Sequence, residues 1–183
     1  MLSITERFLT MNILIAEDEN DIALLYKMAL ERRNHQVTTT ENGENCLKAY
    51  HEKCQYIRSA IDAIGRTLPF DVVILDHKMP KINGMQVAEE ILAMNPHQRI
   101  IFASAYVKET LIDSIRKLKQ VVELIQKPFN VNTLIETVED KEIYSELERF
   151  NVDLDIIKAI NPTHEQIIDL LNRLKTVQKG RIF

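Results

Sequence analysis

Residues 70–84 read FDVVILDHKMPKING, and this stretch decides the fold. Residues 70–75 form a short apolar run rich in β-branched side chains, the signature of a strand buried on both faces. The run ends in Asp76, and the segment with Pro80 and Gly84 then turns the chain. Val87, Ala88, Ile91 and Leu92 follow with helical period and stop before Pro96. The same strand–turn–helix unit recurs on either side. NILIA (12–16) leads into a helix with Ile22, Leu25, Tyr26 and Ala29 on one face. VTTT (37–40), a weaker strand nearer an edge, leads into a long helical stretch. RIIFA (99–103) leads into Leu111, Ile112, Ile115 and Leu118, and VVELI (121–125) into Val131, Leu134, Ile135 and Val138. Five such repeats predict an α/β fold, a doubly wound five-stranded parallel sheet with right-handed crossovers.

Composition agrees with a soluble globular chain. The 183 residues are 45% hydrophobic and 27% charged, with only four Gly and five Pro. No apolar run approaches the ~18 residues of a spanning helix, so no membrane association is expected. The start, MLSITERFLTMN, lacks the basic-then-apolar pattern of a signal peptide, and a cytoplasmic protein is expected. A net charge of −4 offers no pull toward nucleic acid. Cys46 and Cys54, eight apart in a helical pattern, are expected to be reduced, because two turns of helix separate them too far for a disulfide.

Ligands of doubly wound sheets bind beyond the carboxyl ends of the strands. Those ends carry Glu17-Asp18-Glu19, Asp76-His77-Lys78, Ser104-Ala105-Tyr106 and Lys127-Pro128-Phe129. Crowded carboxylates from Glu17, Asp18 and Asp76 would repel one another, and a hard divalent cation relieves this. Magnesium suits a site with few protein ligands and several waters. Lys127 opposite calls for a further anion, and a phosphoryl group fits. Asp76 can then act as an oxygen nucleophile toward phosphorus, with the metal, Ser104 and Lys127 stabilising the phosphoryl oxygens. A cis Lys127–Pro128 peptide would aim the lysine inward, a point the sequence leaves open. Glu19 and Asp21 read as helix-start residues. His77 reads as a spectator whose side chain points away from its neighbour's.

ILIAEDE, VVILDHKMPKINGMQV, IIFASAY and IQKPF, in this order and at strand ends, resemble the receiver domain of two-component response regulators over residues ~11–140. The resemblance implies a flavodoxin-like sheet of order 2-1-3-4-5. It assigns Glu17 and Asp18 to the acidic metal pair and Asp76 to the phosphoacceptor. It further assigns Lys78 to the backbone-carbonyl metal ligand, Ser104 to the switching hydroxyl and Lys127 to the lysine that pairs with phosphate. It implies Mg2+ as cofactor, a histidine kinase or phosphotransfer protein as donor, and a downstream protein target. The chain would catalyse its own phosphorylation and slow dephosphorylation and would not otherwise be an enzyme. Lys78 and Tyr106 would modulate access of water to the acyl phosphate. The family's switch aromatic falls on Leu124, so activation is expected to rely on the loop carrying Ser104. Phosphate-transferring hydrolases that use an aspartate nucleophile carry a second Asp two residues later, where this chain has Lys78.

Two pieces extend beyond the family pattern. Leu47, Tyr50, Cys54, Ile57, Ile61 and Ile64 step as a coiled-coil-like seam. One helix over 44–66, ending near Gly65, Arg66 and Pro69, would be about 33 Å long and would overhang a sheet of ordinary strands. A helix broken near His51 that folds back on its own domain is the competing reading. Residues 141–183 form a helical extension, with Asn161-Pro162 or Thr163 with Gln166 as its start signals and Ile167, Leu170, Leu174 and Val177 as its stripe. The expected division is 1–10 as an N-terminal extension, 11–140 as the receiver and 141–183 as a docking or dimerisation element. A homodimer through the 44–66 helix or the C-terminal helices is a further expectation. A DNA-binding transcriptional regulator using the C-terminal helices is the competing function, but no basic recognition helix stands out.

Overall fold

The computed structural model describes residues 10–60, 68–105, 123–153 and 164–179. Five parallel strands, β1 (Asn12–Ala16), β2 (Gln36–Thr40), β3 (Val72–Asp76), β4 (Ile100–Ser104) and β5 (Glu123–Gln126), form one sheet in the order 2-1-3-4-5. The helices are α1 (Asn20–Glu31), α2 (Gly43–Ala60), α3 (Gly84–Met94), α4 (Val131–Arg149) and α5 (His164–Lys179). This is the flavodoxin-like arrangement. The helix expected around 111–118, residues 61–66 of the proposed seam, Tyr106 and the Asn161–Thr163 start signals lie outside the described residues.

The strands read as continuous apolar runs because both faces are covered. Leu14, Val73, Leu75, Ile100 and Phe102 join Leu47 and Tyr50 of α2 and Val87 and Ile91 of α3 in one core. The alternate residues Ile13, Ile15, Ile74 and Ile101 are equally buried and face the other way. β3 starts two residues later than expected. Asp71 stays outside the strand because its side chain accepts the Asn12 N–H at 2.7 Å, pinning β1 to the segment before β3.

Helix ends follow local chemistry. Asn34 takes the left-handed conformation (φ 65°), which lets the His35 N–H reach Leu30 O and close α1. Asn83 and Gln86 form a reciprocal capping box at the start of α3. α1 corrects one expectation. Ala23, Tyr26 and Leu30 are its buried residues, whereas Leu25, placed on the inner face by the sequence reading, is half exposed. The helix is apolar enough that two faces satisfy the same period, and tertiary packing chose between them. Cys46 is buried and Cys54 partly buried, and both are free thiols. Burial pushes the Cys46 thiol up to about 12, which keeps it unreactive.

The chain divides into two compact units, Thr10–Val131 and a second that takes in residues 132–153 and 164–179 of those described. The boundary expected at 140 falls inside α4, which runs unbroken to Arg149. In the second unit Ile143 and Leu147 of α4 pack with Ile167 and Leu171 of α5. Its apolar stripe is centred on Ile167 and Leu171, and Val177 at the far end is exposed. α4 closes as α1 does, with Asn151 at φ 57° and the Val152 N–H on Leu147 O.

Candidate functional site

The site lies at the carboxyl ends of β1, β3, β4 and β5. Glu17 follows β1 directly, and its N–H bonds to Thr40 O at 3.0 Å, so the carboxylate enters the rim at a fixed height. Asp76 is the last residue of β3. Gly84 closes the loop after it through its N–H to His77 O at 3.1 Å. Any Cβ on Gly84 would lie 2.0 Å from the Asp76 carbonyl oxygen, so only glycine allows this approach. The Lys78 N–H donates to Asp76 Oδ1 at 3.2 Å.

Lys127 joins the strand ends. Its Nζ donates to Glu17 Oε2 at 2.7 Å and to Asp76 Oδ2 at 2.9 Å. The Lys127–Pro128 peptide is cis. The Lys127 N–H donates to Ser104 O at 2.8 Å, which sets the lysine beside the end of β4. Phe129 stacks on Tyr26 of α1 with ring centroids 5.5 Å apart. Carboxylate oxygens of Glu17, Asp18 and Asp76 lie within 4.8 Å of one another. Glu17 is buried, and its Oε1 has no hydrogen-bond partner among the described residues. A buried, unpartnered carboxylate oxygen beside two further carboxylates fits a hard cation held by oxygens.

The electrostatics show the strain of this arrangement. Burial raises the Glu17 carboxyl to about 7, and the Asp76 charge adds to the rise, while Lys127 works against it. Burial pulls Lys127 down, but its hydrogen bonds to Glu17 and Asp76 outweigh that and hold it at about 12. The ammonium therefore stays charged at neutral pH and serves as the internal counter-ion of two carboxylates.

Sequence reasoning named Glu17, Asp18, Asp76, Lys78, Ser104 and Lys127, and all stand at this rim. Ser104 is fully buried at the end of β4. Leu124 sits in β5 opposite Phe102, partly buried and packed against the core. Sequence reasoning missed Gly43, whose Cα approaches the loop after Asp76. The scarcity of glycine in this chain was the one available signal.

A family model described as the response regulator receiver domain matches residues 13–139. The chain belongs to the response-regulator receiver family. Its receiver is 26% identical over 130 residues to the response regulator receiver protein CpdR of Brucella abortus, covering 69% of this chain and 92% of CpdR. It is 31% identical over 128 residues to the DNA-binding transcriptional regulator NtrC of Azospirillum brasilense, but spans only 23% of that protein. Among solved structures it resembles TrrA of Thermotoga maritima, in complex with Mg2+ and BeF. There the identity is 30%, the TM-score 0.55, and the match covers 70% of this chain and 96% of that one. A receiver domain protein from Clostridium thermocellum matches at 27% identity and TM-score 0.58, over 76% of this chain and 98% of that one. Receivers of two-component systems bind Mg2+ through acidic residues and interact with histidine kinases and downstream targets. No helix among the described residues is long and apolar enough to cross a membrane.

Proposed function

We propose that the receiver takes a phosphoryl group onto Asp76 from a phosphorylated histidine of a kinase or phosphotransfer protein. The observation that carries this reading is the Lys127 ammonium bridging Glu17 and Asp76 beside the unpartnered Glu17 Oε1. A carboxylate oxygen of Asp76 attacks phosphorus, the P–N bond to the donor imidazole breaks, and that nitrogen takes up a proton. Glu17, Asp18, Asp76 and the Lys78 carbonyl would hold magnesium, which when bound supplies positive charge for the phosphoryl oxygens. Lys127 passes from the carboxylate to a phosphoryl oxygen, and the Ser104 hydroxyl offers a donor to another. Water later attacks phosphorus, releasing inorganic phosphate and the Asp76 carboxylate. These two steps are the only catalysis we assign to the chain. Lys78 is exposed at the loop and is assigned to control of that hydrolysis. Tyr106, with the same expected role, lies outside the described residues.

Leu124 occupies the place of the family's switch aromatic, and its packing against the core supports a response carried by the Ser104 loop. The helical unit of 132–153 and 164–179 has an apolar core of its own, which supports a docking or dimerisation role. The test is incubation with a small phosphodonor, with and without Mg2+, followed by intact mass. The wild type should gain one phosphoryl group only with Mg2+, and Asp76→Asn should gain none. Uptake by Asp76→Asn would refute the assignment.

A further inference from the structure

The loop between Asp76 and α3 is closed at its base by the Gly84–His77 bond, but its tip leans on another element. Ile82 presents its carbonyl to Gly43, the first residue of α2. A Cβ built on Gly43 would lie 2.1 Å from Ile82 O and 2.8 Å from Val87 Cγ2. One residue on in α2 and one residue back in the loop, Lys81 Nζ bonds to Glu44 Oε2 at 2.7 Å. Two consecutive residues of α2 thus face two consecutive residues of the loop. Lys81 is itself in the left-handed conformation (φ 68°), which a non-glycine residue holds only when its surroundings enforce it.

The start of α2 is rigid. Asn42 is buried, its side chain accepts the Asn45 N–H at 2.9 Å, and its carbonyl accepts the Cys46 N–H. Cys46 and Tyr50 are fully buried one and two turns on. The Tyr50 hydroxyl is bonded to Gln98 and Asn95. An added methyl at Gly43 therefore meets a backbone carbonyl that must move by at least about 1.3 Å to regain ordinary contact, and the loop, where Lys81 and Asn83 flanking Ile82 are exposed, yields before the helix does. The other end of that loop is Asp76-His77-Lys78.

We propose that Gly43 and Glu44 are positioning residues for the phosphoacceptor loop. They fix Ile82 and Lys81, and through them the placement of Asp76 and the Lys78 carbonyl relative to Glu17 and Asp18. This rests on the phosphoacceptor reading for its functional consequence, but not for its structural one. Misplacing reacting groups by about 1 Å can cost up to ~100-fold in rate, so a Gly43→Ala change is expected to slow phosphorylation at least tenfold.

The test uses the full chain as wild type, Gly43→Ala, Glu44→Lys, Lys81→Glu and the double swap. In the metal-free protein, the Lys78 amide resonance reports its bond to Asp76 directly, and calorimetry with Mg2+ alone reports metal affinity. Gly43→Ala is expected to shift the Lys78 amide, weaken Mg2+ binding and slow phosphodonor uptake while circular dichroism is unchanged. Each single charge change is expected to shift the same amide, and the swap to restore it. A merely structural role would lower thermal stability without moving that amide or the affinity measured well below the transition. A folded Gly43→Ala with wild-type amide position and affinity overturns the proposal. If Gly43→Ala does not fold, the charge series decides, and identical Lys78 amides in all of its proteins overturn it. Failure of wild-type phosphoryl uptake would sink the phosphoacceptor reading, while the amide shifts would still decide the brace.

Discussion

Lys127→Met removes the ammonium but keeps most of the stem, so it isolates the charge at the centre of the site. In the wild type that ammonium satisfies Glu17 Oε2 and Asp76 Oδ2 at 2.7 and 2.9 Å. Its loss leaves two close carboxylates, one of them fully buried, with no counter-ion. Removing one partner of a buried pair costs about 3–5 kcal/mol. The Lys127 and Asp76 side chains keep 15% and 13% of their exposure, so solvent screening brings the cost to just below that range, about 2–3 kcal/mol. For a unit of this size that is a fall of about 8–12 °C in Tm without divalent ion. Magnesium held by Glu17 and Asp76, as proposed, would compete with the ammonium for these carboxylates, so the variant should bind it more tightly than the wild type. In saturating Mg2+ both proteins gain stability, and the gap between them narrows by about 1.4 kcal/mol for each tenfold by which the variant binds more tightly. Thermal unfolding in EDTA and in saturating Mg2+ measures both. An equal deficit in the two conditions would refute the reasoning, because it would mean that lysine and metal do not share ligands. Phosphoryl uptake should be lost in saturating Mg2+, since Lys127 supplies the ammonium bonded to Asp76 among the described residues.

The remaining predictions follow from single contacts. Tyr50→Phe deletes the hydroxyl that donates to buried Gln98 Oε1 at 2.8 Å and accepts from Asn95, and should cost about 1–3 kcal/mol in urea unfolding; a change under about 0.5 kcal/mol contradicts the network. Glu17, raised from 4.5 to about 7 by burial, binds its proton more tightly folded than unfolded, so its contribution to stability is complete below the unfolded value and lost as pH rises through about 7. In EDTA the wild type should therefore lose more stability than Glu17→Gln between about pH 5 and 8, and parallel pH curves would count against the shift. Leu124→Tyr should leave phosphoryl uptake on Asp76 unchanged by intact mass, and its abolition would show that the position controls the site. Leu171→Ala, in the core shared with Ile143 and Leu147, should cost about 2–4 kcal/mol of the second unit's stability by calorimetry, with the receiver transition unmoved.

The rim residues were legible because a parallel sheet advertises its ends. Strands buried on both faces read as unbroken apolar runs, so the first polar residue after each run must lie at the carboxyl edge, and Glu17 and Asp76 follow from that rule alone. Lys127 and Glu17 are 110 residues apart and still predictable as neighbours, since each ends a strand of one sheet. The face of α1 was not legible, because the exposed Leu24, Leu25 and Met28 are at least as apolar as the buried Ala23, Tyr26 and Leu30. Nor was the course of α4 past residue 140, where Lys141 and Glu142 offer neither cap nor breaker and the helix simply continues. Gly43 shows the deeper limit. Its contact with Ile82 is made by the absence of a side chain, and an absence carries no charge, period or donor for a sequence reading to register. What remains visible is the residue type: a glycine at the first position of an 18-residue helix gains nothing from helix propensity and so demands a reason in three dimensions. In this receiver the reason is the Ile82 carbonyl, six residues beyond Asp76, which traces a constraint on the loop after Asp76 to the first turn of a helix on the far side of that loop.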